Sequence, residues 1–521
     1  MSADVIACSG VPAGEVLPRQ SREKAERLPM KELRRKVLLP VFQLSELTTD
    51  DDPRALRRDI KQGKGHSALT YYYRLVEDDQ TGHRSSYNLF PIVLDRDAKP
   101  WSLATLYLLA RLEAETSPTM TTHQNRADDL GSYKEWLDTH DDPERLMFSF
   151  PKITLRRPTY RYRGNLEKLI RAGELAPSVA KRRMGSVIAF YQWLIKNEYF
   201  HPEYPPWEDT HYYLTVKTSK GFVMSKTVKS TDLKIRSPKS EDAFDGTIQD
   251  GGKLRPLTGE EQNRVLEATW EKGNTECYLI QLFMLATGAR IQTVCTLRVR
   301  HFTQPNPRFS KPLTGEEQVF KINAGPGTGI DTKNDKNGVL QVPRPVYDLL
   351  RTYALSKRAD VRRNRFIAKH TDSDDPYLFI TQQGNPYYGS KEEALRFNPA
   401  LEIRHEKTGQ PVRQFIKEHV LPYVRENYDK AFYYRPHDLR ASFGMNMNEV
   451  LMDSVQKKAI SLSKARMILK ELLWHESYET TDLYLDYPGK MHAAYAAVNN
   501  YGKQVQKWTE RAMNIRTLSD E

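Results

Sequence analysis

The chain has 521 residues and carries 79 Lys/Arg against 67 Asp/Glu, giving a net charge of +12, a pI near 9.2 and a mean hydropathy of −0.67. That length exceeds a single hydrophobic core, so several domains are expected. No run approaches the ~20 apolar residues of a membrane-spanning helix, the opening residues lack the pattern of a secretory leader, and Cys8, Cys277 and Cys295 form neither a CxxC pair nor a disulfide framework. These features predict a cytoplasmic protein, away from membranes, with a polyanionic partner.

Residues 1–99 are the least patterned: "RQSREKAERLPMKELRRKVLLP" is mixed in charge and partly helical in spacing, and "ALTYYYRLVEDDQTGHRSSYNLFPIVL" reads as a strand, a polar turn and a strand. Their role is open, a DNA-contacting arm being one reading. Over 100–215 the pattern turns helical. "SLATLYLLARLEAE" follows a Ser cap, and "PSVAKRRMGSVIAFYQWLIKNEYF" has Pro177 in a first-turn position and a stripe of Met184, Val187, Ile188, Tyr191 and Leu194.

Residues 151–200 hold eleven Lys/Arg against three Glu, a local charge of +8, with Tyr160, Tyr162, Phe190, Tyr191 and Trp193 interleaved. A cationic helical layer of this kind suits a phosphate backbone, and Arg156, Arg157, Arg161, Arg163, Lys181, Arg182 and Arg183 are its candidate DNA-binding residues. The Ser/Thr/Lys/Gly-rich stretch 216–254 lacks periodicity and reads as a linker. A Thr-x-x-Glu capping box in "PLTGEEQNRVLEATWEK" then opens a second helical unit, 255–490, and 491–521 forms a helical tail.

Four places in this second half carry unusual chemistry. "LATGARIQTVCTL" ends an apolar helix at Gly288 and sets Arg290 at the opening of the next, where it can meet an anion. "QVFKINAGPGTGIDTKNDKNGVLQVPRP" reads as two strands around a Gly-rich turn bearing Lys333 and Lys336, without the spacing of a nucleotide-binding loop. "RPHDLRASFGMNM" places His437 and Arg440 on one helix face among apolar residues, and "LLWHESYETTDLYLDY" has His475 nine residues before Tyr484. In isolation each admits a structural role: a helix-corner arginine, a solvated hairpin lysine, a capped helix start, a packing tyrosine.

Taken in order, an arginine, a hairpin lysine, HDLR and WH-x8-Y resemble the tyrosine recombinases, or phage integrases, over roughly residues 255–490. The resemblance implies a multidomain, mainly α fold, with a helical core-binding domain at 100–215 and an α+β catalytic domain containing a small β-hairpin sheet. It also implies Arg290, His437, Arg440 and His475 as catalytic groups, a hairpin lysine as general acid (Lys333 is preferred, with Lys336 the alternative) and Tyr484 as nucleophile. The expected activity is site-specific DNA recombination or integration by a mobile element, on double-stranded DNA, with a homotetramer at synapsed sites near the nucleoid. The chain departs from the family pattern at Thr293 (usually acidic), Ala441 (often His) and Trp474 (usually Gly), and is longer than usual across 450–463.

The chemistry is coherent with that resemblance. A phenol can conserve phosphodiester energy in a covalent intermediate, two arginine forks neutralise the non-bridging oxygens, and a lysine beside them can protonate the leaving oxygen. His437 would help deprotonate the phenol and His475 would hold the phosphate. Neither a cofactor nor a metal is expected. A type IB topoisomerase would use nearly the same groups, and a DNA-binding protein that had lost catalysis would keep only the fold.

Overall fold

Pro177 stands at the first position of the helix Pro177–Lys196, where its missing N–H costs nothing. In the computed structural model, residues 35–60, 69–76, 86–115, 119–217, 223–236, 245–304, 310–311, 319–369, 375–391 and 407–517 are described. They fall into two units, one up to residue 236 and one from residue 245 onward.

In the first unit, strand Phe90–Val93 pairs antiparallel with Lys36–Leu39 and packs with the helices Ser102–Glu113, Met120–Leu137, Pro158–Arg171 and Pro177–Lys196. Phe42, Phe90, Tyr107, Tyr133, Tyr162, Phe190 and Tyr191 are fully buried in one cluster, and Tyr133 and Tyr191 satisfy each other's hydroxyls at 2.6 Å. The expected division at residue 99 therefore runs through one hydrophobic core. Lys36–Leu39, read as the end of a partly helical segment, is a strand; residues 19–34 of that segment lie outside the described residues. Leu69–Leu75 pairs with Ser45–Thr48 and Leu56–Ile60 rather than with the strand that follows it in the chain.

The stretch read as a linker holds ordered pairing. Asp209–Lys217 and Val223–Thr231 form a hairpin within the first unit, and Ile248–Gln249 pairs with Lys253–Leu254 in the second. The intervening 218–222 and 237–244 lie outside the described residues. Alternation of Ser, Thr and Lys with Val and Tyr is compatible with strands as well as with loops, and composition alone does not separate the two.

The second unit is built on the buried helix Thr275–Thr287, against which pack Gly259–Glu271, the sheet of Val319–Ala324 and Gly338–Pro343, and Asp438–Gln456. Both halves of the predicted capping box at Thr258 and Glu261 are formed. A smaller cluster of Ile248, Leu254, Ala441, Phe443, Leu469, Leu473 and Tyr484 lies alongside the main core. Burying each large side chain of that cluster contributes about 1.5–3 kcal/mol. The final helix runs unbroken over Tyr478–Thr517, so the expected tail boundary at 490 falls inside it.

Candidate active site

The helix Thr275–Thr287 must stop sharply for Arg290 to be presented, and Gly288 provides the stop in a left-handed conformation at φ +67°. A Cβ there would lie 2.4 Å from a ring carbon of Phe443, so glycine also lets the turn close onto the helix Asp438–Gln456. His437 caps that helix and Arg440 lies one turn in. Asp438 tightens the same turn by accepting from the backbone N–H groups of Arg435 and Arg255 at 2.8 and 3.1 Å. Arg440 is 1% exposed, yet its guanidinium is satisfied: Nη1 donates to the Gly288 carbonyl at 2.8 Å, Nη2 to that of Leu473, and Nε to Asp250 at 2.9 Å.

Asp250 was not foreseen from sequence, and it is the centre of the site. Its Oδ2 meets Arg440 Nε, accepts the Tyr484 hydroxyl at 3.1 Å and lies 3.3 Å from His475 Nε2; its Oδ1 is 3.7 Å from Arg290 Nη2. The Asp250 backbone carbonyl is 3.3 Å from His437 Nε2. Five of the six expected groups thus converge on one residue. Burial pushes the Asp250 carboxyl upward in pKa, but the His475 hydrogen bond and the Arg440 charge outweigh it and hold it far below the usual carboxylate range.

The same burial and charge tune the neighbours. Arg290 is brought down to about 10 by desolvation and the nearby Arg440, and His437 to about 4 by desolvation and both arginines. His437 is therefore neutral at physiological pH. His475 is also lowered by burial, although Asp250 opposes the shift; its Nδ1 pairs with Thr481 Oγ1 at 3.0 Å. Burial first, then the Asp250 charge, push the Tyr484 phenol well above its usual value, so the proton stays on.

Tyr484 is fully buried, and the space for its ring comes from Gly444, where a Cβ would lie 2.4 Å from the ring. Its neighbours in sequence are used elsewhere: Tyr487 donates to the Gly246 carbonyl at 3.0 Å, and Tyr478 stacks under Arg466. Lys333 brings its ammonium to 3.4 Å from where a Cβ on Gly251 would sit, on the Asp250 turn. Lys336 donates to the Trp474 carbonyl at 2.8 Å and is lowered by burial. Trp474, at φ +52°, lies against Gly338 and donates to the Val339 carbonyl at 3.3 Å, which ties the lysine hairpin to the His475 turn. A Cβ on Gly338 would lie 2.5 Å from the Trp474 ring, so the contact needs a glycine there.

The candidate DNA-binding residues divide. Arg156, Arg161, Lys181 and Arg182 are exposed, although Arg182 also pairs with Asp129 at 3.1 Å, while half-buried Arg163 pairs with Glu167 at 2.8 Å. Arg183 is half-buried. Arg157 is a correction: it is 5% exposed and its guanidinium is spent on the carbonyls of Pro151, Lys152 and Pro205 at 2.8–3.0 Å. It braces a loop and presents nothing to a ligand. Among the described residues, no group of three or more His, Cys, Asp or Glu could hold a metal ion, and no helix is long and apolar enough to cross a membrane.

No family model matches the chain, and no curated protein matches it. Among solved structures it is similar to the Tn1549 transposon integrase in complex with circular intermediate DNA, at 13% identity over 73% of this chain and 94% of that one, with a TM-score of 0.36. It is also similar to the XerH site-specific recombinase bound to difH substrate, at 13% identity, 75% and 88% coverage and a TM-score of 0.36. A lambda integrase dimer bound to a COC′ core site matches at 12% identity, 74% and 95% coverage and a TM-score of 0.39. Scores this low carry no argument about chemistry, so the functional reading rests on the site.

Proposed function

We propose that the chain is a tyrosine-type site-specific DNA recombinase that cuts and rejoins double-stranded DNA through a 3′-phosphotyrosyl intermediate. One observation carries this reading: Arg290, His437, Arg440, His475 and Tyr484, separated by up to 194 positions, meet around a single buried anion, with the phenol at hydrogen-bond distance from it. Buried Glu276 also gathers Arg358, Arg362 and the Tyr353 hydroxyl; what sets the Asp250 site apart is the addition of His475 and His437.

With a DNA phosphate at that anion position, the Tyr484 oxygen bonds to phosphorus as the bond to the 5′-oxygen breaks. Neutral His437 takes the phenol proton, and the 5′-oxygen leaves with a proton from Lys333, beside the Asp250 turn. Arg290 and Arg440 neutralise the charge that develops on the non-bridging oxygens, and His475 hydrogen-bonds one of them. Lys336, on the same hairpin and within the field of Arg290 and Arg440, is the alternative donor. Rejoining is the reverse attack by a 5′-hydroxyl.

The exposed cations of the first unit supply sequence-independent contact to the backbone. The apolar side chains Val498, Tyr501 and Trp508, exposed at helical spacing on the final helix, suit docking on a neighbouring protomer in a tetramer. Tyr484→Phe tests the reading. The variant should bind a cognate duplex as the parent does and yield no covalent adduct on a nicked substrate, with EDTA or with Mg²⁺. An adduct formed by the Phe variant would remove Tyr484 from the mechanism.

A further inference from the structure

The carboxylate of Asp250 stands where the phosphate is needed. It presents two oxygens in one plane and a single negative charge, as the non-bridging oxygens of a phosphodiester do. It engages Arg440, His475 and Tyr484 through Oδ2 and faces Arg290 through Oδ1. A phosphate open to attack would have to stand within about 3–3.5 Å of the phenol oxygen, in space that Oδ2 fills at 3.1 Å. Two anions do not share a buried site of this size, so carboxylate and phosphate exclude one another.

We propose that Asp250 is an intramolecular plug: it occupies the phosphate position, accepts the Tyr484 hydroxyl, faces both arginines, and leaves when a phosphate replaces it. The proposal rests on the reading of this pocket as the site of the scissile phosphate.

The way Asp250 is carried supports an occupant that can leave. It tips a hairpin whose strands are two residues each, and the tip is completed by Gly251 and Gly252 at φ +69° and +156°. Ile248 and Leu254, at the root, are buried against the cluster that contains Phe443, Leu473 and Tyr484. The root is thus held in place beside the nucleophile while the tip has the backbone freedom of two glycines. A tethered carboxylate competes at high effective concentration, so a stray phosphate is a poor rival. A phosphate held in place by contacts along a bound duplex is a strong one. The plug would make the site answer to correctly seated DNA and little else. A purely orienting role for Asp250 predicts the opposite consequences on its removal.

Asp250→Asn keeps the size of the side chain and removes its charge. Calorimetric titration of the full chain with inorganic phosphate should show the variant binding about tenfold more tightly than the parent, or better, the scale of a charge-assisted hydrogen bond. Covalent adduct formation on a nicked duplex should be about tenfold faster at subsaturating DNA. Equal or weaker phosphate binding by the variant overturns the plug, as does slower adduct formation, which would make Asp250 a positioning residue. If the variant gains phosphate binding while neither protein forms an adduct on any duplex tried, the plug stands and the recombinase reading falls. Should the variant not fold, hydrogen exchange of the parent's amides at 249–252 decides: exchange should rise in saturating phosphate, and unchanged exchange overturns the proposal.

Discussion

Arg157 and Arg440 are both buried arginines that make three hydrogen bonds each, one in the first unit and one in the second. The partners differ. Arg157 donates to neutral carbonyls and lies over the Tyr204 ring, so its charge is solvated by dipoles and the loop 151–157 is fastened. Arg440 spends two donors on carbonyls and aims the third at an anion that a tyrosine hydroxyl and a second arginine also face. Burial and hydrogen-bond number do not distinguish a brace from a site residue; the partners do, here an anion shared with His475 and the Tyr484 hydroxyl.

The sharpest break of that comparison is a pair of alanine substitutions. Arg440→Ala should lower the rate of covalent adduct formation by about 10²–10³ per folded molecule. It should also destabilise the chain by about 3–5 kcal/mol, because the Asp250 charge is left short of a partner. Arg157→Ala should cost about 2–4 kcal/mol of stability, from carbonyls left unpaired, and leave the rate per folded molecule unchanged. Denaturant melts together with active-site-normalised single-turnover rates separate the two, and a rate loss with Arg157→Ala would erase the distinction.

Next in size is Gly444→Ala. In an exposed helix this change stabilises by about 1 kcal/mol. Here the added methyl would stand 2.4 Å from the Tyr484 ring, so the ring must move. A displacement of about 1 Å predicts adduct formation slowed about 10²-fold with duplex affinity retained. An unchanged rate would show that the phenol is not positioned by this helix.

A smaller effect follows from His437, whose folded value is about 4 against an ordinary 6.5. Below pH 6.5 the unfolded chain takes up this proton and the folded chain does not, so the contribution of neutral His437 to stability is lost as pH falls from about 6.5 towards 4. His301, also lowered to about 4 by burial, acts in the same direction. Melting temperature should therefore decline across that window, and His437→Gln should flatten part of the decline. An identical pH profile for the variant would place the protonation elsewhere.

The smallest effects belong to the exposed cations. Arg161→Ala or Lys181→Ala should each reduce duplex affinity by a similar factor on any sequence and reduce the slope of log affinity against log salt by about one. Arg157→Ala should leave the slope alone. A change in its slope would return Arg157 to the DNA surface.

The local parts of this protein are legible in its residues alone. Helical spacing places His437 and Arg440 one turn apart, His475 precedes Tyr484 by a fixed interval, and the Thr258–Glu261 box and the Gly288 stop act over a few residues. Periodicity and capping are short-range physics, and they are legible without a fold. What those residues face is set by the fold. Asp250 lies in a polar stretch with no hydrophobic signal beyond Ile248 and Leu254, and its partners are 40 to 234 positions away. Even the Asp-Gly-Gly turn, a recognisable hairpin signal, says nothing of what its tip will touch. Arg157 and its exposed neighbour Arg156 are likewise adjacent and chemically identical in the sequence. One faces inward and the other outward because the chain turns between them into the helix Pro158–Arg171. The direction of a side chain relative to distant backbone is set by packing, and that information resides in no single stretch of residues.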